Sequence, residues 1–404
     1  MKYNILKFLI PFLLIISNIN ITNASEIYNK NGEKIDLYGF LDIKKAYSKD
    51  REDIPKKYEN IISNMIIGLK GKTNIFNDVY GYTQFEFSLP INQNTEIDKN
   101  IFPSIRLGLI GLNFNHGNSS LDFGRNYGIL YDTTSYIKKD SFFTDDLMYN
   151  YNDKFMFGRT NNLLTYRNKN FFGLIKGLEI ALQYKSPHFY TEDNVFYDEH
   201  NNDENRDIFV EKEKNKKGWG ASIGYKIGNS GVSITGSYFN SSKIIDKNDE
   251  LKKVFSIKNT NHKNDDNINA FSIGAKYEKN NIYLATVFSK AKNSLTYLDK
   301  HSYSFAHKIK KLEIIGQYKF DNNLKATISY VQTEGNNIPA GYHYLGGNIN
   351  FLKYISINTI YKFSKNLSAY FDYRINLLNK KDRYIKSNDI FTKNLFGIGI
   401  IYNF

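Results

Sequence analysis

From Ile35 to the C-terminus, apolar and polar residues alternate with period two in segments of about ten residues, each bounded by Asn, Asp, Gly, Ser or Lys clusters. Period two places successive side chains on opposite faces of an extended chain, so each segment predicts a strand with two unlike faces. In the last segment Phe404, Tyr402, Ile400, Ile398 and Phe396 share one face, and Asn403, Gly399 and Gly397 share the other with Ile401 and Leu395. One face suits lipid and the other a lumen. Sixteen strands are predicted, near residues 35–48, 59–74, 78–89, 104–115, 119–128, 158–168, 177–188, 218–227, 232–240, 268–278, 281–291, 304–320, 324–332, 346–363, 367–378 and 391–404.

The connections alternate in kind. Short ones are turn chemistry: Asn77-Asp78, His116-Gly117-Asn118, Gly228-Asn229-Ser230-Gly231, Lys279-Asn280-Asn281, Asp321-Asn322-Asn323 and Ser364-Lys365-Asn366. Between them lie long polar linkers near 49–58, 92–103, 189–216, 242–267 and 379–389. Short turns at one rim, long loops at the other and an even strand count predict an all-β, antiparallel transmembrane barrel, and sixteen strands leave an aqueous channel.

Composition sharpens this. Lys2 and Lys7 flank the apolar run Leu6 to Ile16, and Thr22-Asn23-Ala24 is a small-x-small site before Ser25, so residues 1–24 read as a cleaved secretory signal and 25–404 as one barrel domain. The run is shorter than the ~20 residues of a membrane anchor, and nothing downstream is long and apolar enough for a spanning helix. Aromatics reach 16%, with 32 Tyr and 30 Phe, which fits two interfacial girdles. The absence of cysteine excludes disulfide stapling and thiol chemistry. A formal charge of +13 raises the question of nucleic acid, but the Lys residues are scattered among Asn, Ile, Tyr and Phe with no basic helical face, so no nucleic-acid partner is expected.

The start of the mature chain, Ser25 to Gly39, resembles that of the enterobacterial general porins of the OmpC and OmpF type. So do Leu121-Asp122-Phe123-Gly124-Arg125-Asn126-Tyr127-Gly128 with Tyr131-Asp132, Gly158-Arg159 with Thr165 to Leu174, and the strands from Tyr361 onward. The resemblance spans the mature chain. It implies a homotrimer in the outer membrane, surrounded by lipid and lipopolysaccharide. The third loop, residues 129–157, would fold into each lumen, and ions and small hydrophilic solutes would diffuse passively past a charged constriction, with no cofactor. A transverse field between acidic loop and basic wall would orient dipolar solutes and bias ions.

Residue by residue, the resemblance assigns Arg106 and Arg159 to the basic wall. Phe40 and Ile66 stand where the family carries Lys and Arg, so the basic half is thinner than usual. The family's Pro-Glu-Phe-Gly-Gly-Asp is here Ser141-Phe142-Phe143-Thr144-Asp145-Asp146; Asp146 matches an acid, Asp145 and Asp140 stand nearby, and the loop is two residues longer. Glu86 matches a lumen-facing acid, with Asp42 and Lys44 as further lumen lining. Glu96 matches a subunit contact, and Arg125 is a paired arginine near the loop root and that contact. Two other classes fit the residues less well. A barrel enzyme needs a nucleophile or activated water beside His and a carboxylate, and none of the seven histidines sits in such a signature. His200 with Glu199, Asp203 and Glu204 reads as a solvated acidic loop before a metal site. A structural or adhesive barrel would act through the charged loops at 192–217 and 243–266.

Overall fold

The alternating segments pair into one continuous antiparallel sheet that closes on itself. The computed structural model describes residues 25–48, 63–91, 104–137, 156–187, 217–242, 267–299, 302–341 and 344–404. Its strands are β1 (Ser25–Lys30), β2 (Glu33–Ser48), β3 (Asn64–Phe76), β4 (Val79–Pro90), β5 (Ser104–Phe114) and β6 (Ser119–Tyr127). They continue as β7 (Arg159–Asn168), β8 (Leu178–Lys185), β9 (Gly218–Lys226), β10 (Val232–Ser242), β11 (Asn267–Lys279) and β12 (Ile282–Asp299). The last are β13 (Ser302–Lys319), β14 (Leu324–Ile338), β15 (Gly347–Lys362), β16 (Leu367–Asn376) and β17 (Leu395–Asn403). Each strand from β2 to β17 pairs antiparallel with the next, and β17 returns to β2 in register from Leu395↔Ser48 to Asn403↔Phe40, so these sixteen form a closed barrel with no free edge.

Period two separates the faces as expected. In β10, Ser233, Thr235, Ser237, Phe239 and Ser241 are buried while Ile234 and Tyr238 are exposed. In β17, Phe396, Ile398, Ile400 and Tyr402 are exposed and Leu395, Gly397 and Gly399 are not. The exposed row of each strand is the outward, apolar one, as lipid requires. Ring pairs mark two levels on it. Tyr318–Phe320 and Tyr361–Phe363 lie at the short-turn rim, and Tyr47–Phe396, Trp219–Tyr238 and Phe271–Phe288 toward the long-loop rim.

Four elements differ from the sequence expectation. Ser25–Lys30 forms an extra strand that folds back on β2 through the turn Asn31-Gly32, where both residues have positive φ (56° and 83°). β12 and β14 run past their expected ends to Asp299 and Ile338, because Asn293 (φ 54°) and Asn337 (φ 53°) absorb register irregularities that the polar composition had presented as loop. Within the linker at 379–389, a short helix (Arg383–Ser387) forms because the Asp382 carboxylate accepts from the Tyr384 and Ile385 backbone N–H groups. Tyr384 and Ile385 then bury against Tyr297, Phe351 and Ile309 inside the long-loop rim.

Candidate pore constriction

The described root of the third loop lies inside the barrel. It follows β6, within which Gly124 has a φ of 136° and lies so close to the Gly108 carbonyl, 2.2 Å from where a Cβ would stand, that only glycine fits. At Gly128 the chain crosses the Met156 backbone, and the Gly128 N–H bonds the Gly158 carbonyl; a Cβ there would stand 2.4 Å from the Met156 carbonyl oxygen. Ile129 and Leu130 then bury fully with Met156 and Phe157 against Leu163, Ala181, Phe239, Ile268, Ala270 and Ala291, inward residues of β7, β8, β10, β11 and β12. The Gln183 side chain ties this root to the wall: it accepts from Ile129 N at 2.8 Å and donates to Tyr127 O and Thr165 Oγ1, both at 3.0 Å.

A one-turn helix, α1 (Tyr131–Thr134), continues the segment along the inner face of the wall. Asp132 Oδ2 accepts from Arg167 Nη1 at 2.8 Å and from Ser222 Oγ at 2.5 Å, joining β7 to β9. Thr133 Oγ1 meets Ser237 Oγ at 2.7 Å, Tyr136 OH meets Thr235 Oγ1 at 2.6 Å, and Tyr283 OH donates to Tyr136 O at 2.5 Å. Every wall residue here is an inward one, so the root runs from β6 and β7 to β10 and β12 inside the barrel. The remainder of the loop, including Asp140, Asp145 and Asp146, lies outside the described residues, as do Glu96 and the His200 cluster.

The wall that faces this root is built from β2 to β5. Arg106 is the extra residue where β5 slips against β4: Glu86 pairs with Leu107, and Phe87 with Ile105. That bulge turns Arg106 inward, and its Nε donates to Glu86 Oε1 at 2.5 Å. Tyr38 OH donates to the other carboxylate oxygen at 3.0 Å and accepts from Gln84 Nε2 at 2.6 Å. Gly68 makes room for this ring, since a Cβ would sit 2.2 Å from Tyr38 Cζ. Arg159 opens β7 opposite Tyr127. Tyr127 and Tyr131 stack with centroids 4.0 Å apart. Burial pushes the Tyr131 hydroxyl up to about 12, and Tyr127 adds to the rise, while Arg106 and Arg159 act against it.

The other sequence-assigned wall residues divide in two. Phe40 and Ile66 face the lumen as direct cross-strand partners, so the two apolar replacements form one patch. Asp42 and Lys44 pair with each other at 3.0 Å, and Asp42 also accepts from Tyr370 OH at 2.7 Å. Arg125 lies outside this set: it donates to Ile105 O at 2.8 Å and to Asn161 Oδ1 at 2.7 Å, bracing β5 against β7. Sequence reasoning passed over Tyr38, Gln84, Tyr127, Tyr131, Asp132 and Arg167, and over Lys70 and Lys72, inward cations resting on the Tyr38 and Tyr80 rings at 4.8 and 4.0 Å. The signal for the lysines was available, since both share the parity of Ile66.

Comparison with known proteins points one way. The profile of the family described as Gram-negative porin matches residues 30–404. Outer membrane protein F of Serratia marcescens is 37% identical over the full length of both chains, and outer membrane porin C of Salmonella typhimurium is 34% identical, also over both full lengths. The structure of Salmonella typhi OmpF in complex with daunomycin superposes with a TM-score of 0.76 at 31% identity, covering 94% of this chain and 100% of that one.

Proposed function

The chain belongs to the Gram-negative porin family, a passive diffusion channel of the outer membrane and not an enzyme, and from that premise we propose which of its residues set what passes. Ions and small hydrophilic solutes cross the lumen beside α1, and the basic side of the narrowing is Arg106 and Arg159. The observation that carries this is their place beside the root of the inward segment: Arg159 stands opposite Tyr127, whose ring stacks on Tyr131, and the β5 bulge turns Arg106 inward onto Glu86. Arg106 acts as one half of a pair with Glu86, so removing its charge leaves an uncompensated carboxylate. With Phe40 and Ile66 apolar, the narrowing is less anion-attracting than the charge of the mature chain implies, +11 once Lys2 and Lys7 are removed from the formal +13. Charges on distant loops are screened within ~8 to 10 Å. Asp140, Asp145 and Asp146 supply the acidic side, and Asp42 and Lys44 line the wall as a neutral pair.

The functional unit we propose is a homotrimer in a lipid and lipopolysaccharide bilayer, exported by a signal cleaved after Ala24. Support for the subunit contact is a groove on the outward face of β3 to β5 lined by Gly71, Thr73, Gly81 and Thr83 between Ile75 and Ile110. Small residues there allow close approach of a neighbouring copy of the chain; Glu96 and Arg125 are the contact residues that the family resemblance assigns. The filter assignment is tested by reversal potential under a salt gradient. Arg106→Gln shifts selectivity toward cations by about fivefold in permeability ratio, the equivalent of roughly 1 kcal/mol between unit charges at close range in a wet pore. Arg159→Gln shifts it less, and an unchanged reversal potential in the double variant removes both from the filter.

A further inference from the structure

One cluster on the outside of the barrel has no part in permeation. Lys290 and Lys292 of β12 stand directly opposite Lys310 and Lys308 of β13. Their neighbours Ala291, Ile309 and Lys311 are buried on the inward side, so these four side chains point outward. Directly opposed residues have Cα atoms about 5 Å apart, and the two pairs are about 7 Å apart along the strands. Four ammonium groups therefore share a patch a few ångströms across. Like charges facing each other on one sheet destabilise the ladder, so the cluster calls for a counter-charge. Among the described residues, Glu334 is the carboxylate in register with Lys310, and its Oε1 already accepts from Asn336 Nδ2 at 2.5 Å.

Height on the barrel says what that counter-charge is. Moving from the short-turn rim, the outward positions of β12 are Ile282, Leu284, Thr286 and Phe288 before Lys290. Those of β13 are Tyr318, Gly316, Ile314 and Leu312 before Lys310. The Lys290 ammonium lies 5.8 Å from the Phe271 ring centroid and 5.5 Å from that of Phe288, the upper aromatic level. The lysines are thus the first charges beyond the aromatic girdle at the long-loop end, where headgroups of the outer leaflet lie. We propose that Lys290, Lys292, Lys308 and Lys310 dock the phosphate groups of an anionic outer-leaflet lipid, with its acyl chains on Phe288, Leu284, Leu312 and Ile314 beneath. An acidic peptide or a nucleic acid would match the charge but not the apolar strip directly below it. β12 and β13 stand across the ring from β4 and β5, so the site stays open to lipid when subunits meet through the groove.

The test uses the full chain folded in neutral detergent and native mass spectrometry, with phosphatidylglycerol, phosphatidylcholine and inorganic phosphate as probes. The unmodified protein retains phosphatidylglycerol in preference to phosphatidylcholine. The variant K290Q/K292Q/K308Q/K310Q binds phosphatidylglycerol at least about tenfold more weakly with phosphatidylcholine unchanged, while K319Q at the opposite rim behaves as the unmodified protein. Equal phosphatidylglycerol affinity in the quadruple variant overturns the site, and displacement of the lipid by equimolar inorganic phosphate overturns the lipid assignment. Should the variant fail to fold, salt decides on the unmodified protein: retention falling from about 0.05 to about 0.5 M supports the charged contact, and retention independent of salt overturns it. The proposal rests on the barrel's place in the outer membrane and not on the filter, so conductance of the variant separates a failure of one from a failure of the other.

Discussion

Pairing decides what each charge at the narrowing can do. Arg106 and Glu86 are in contact, Tyr38 holds the carboxylate from a second side, and Gln84 holds Tyr38. Replacing Tyr38 by Phe keeps the ring over Gly68 but removes a donor to Glu86, so the carboxylate becomes freer to attract cations; the Tyr38→Phe channel is expected to show a small cation-directed shift in reversal potential, less than that of Arg106→Gln. Tyr131 gives a pH prediction. Burial pushes its hydroxyl up to about 12 in the folded barrel, against about 10 for a free phenol. A raised value means the neutral phenol is favoured by folding, so the stabilisation is complete below about pH 10 and is lost as pH rises toward 12. The difference in thermal stability between the natural chain and Tyr131→Phe should therefore stay constant from pH 6 to 9 and change only above about pH 10. A change centred near neutrality would show that another group is responsible.

Elements were legible in proportion to how local their cause is. The sixteen barrel strands could be read from period two and turn chemistry, and their observed bounds lie close to the expected ones wherever a Gly or Asn turn closes them, as at Gly228-Asn229-Ser230-Gly231. The ends of β12 and β14 were not legible, because asparagine at positive φ inside a strand is locally the same signal as a turn. At the site, parity and resemblance together located Arg106, Glu86, Phe40 and Ile66 on the lumen wall. They did not reveal that Arg106 and Glu86 touch, since that contact depends on a one-residue slip between β4 and β5. Nor could they show Asp132 bridging β7 and β9, a contact across 35 and 90 residues of sequence. The inward root is held mainly by the buried apolar cluster at Ile129 and Phe157. Phe239→Ala should remove its far-wall anchor at a cost of about 3 to 5 kcal/mol, seen as a lower urea midpoint of the folded barrel together with raised open-channel noise. A quiet channel of normal stability would mean that the root is held by its hydrogen bonds alone.

For the whole molecule, the closed ring of strands explains how a chain with 24% charged residues and no disulfide persists in lipid. Apart from the bulges, the backbone of each described barrel strand pairs with the next, the apolar row faces out, and the charges turn inward or rise to the rims. The same separation leaves the lumen polar but not uniformly basic. Lys70 and Lys72 lie toward the short-turn end, the Phe40–Ile66 patch and the Arg106–Glu86 pair sit in adjacent rows above them, and α1 faces that wall. The central claim is that this lumen is an open, water-filled path narrowed at α1. It is tested most directly by single-channel conductance of the refolded protein in a planar bilayer. Conductance that rises roughly linearly with salt, in steps grouped by three, is the result expected of three independent water-filled pores. Correctly folded barrels that pass no current, or a current that saturates at low salt, would contradict it.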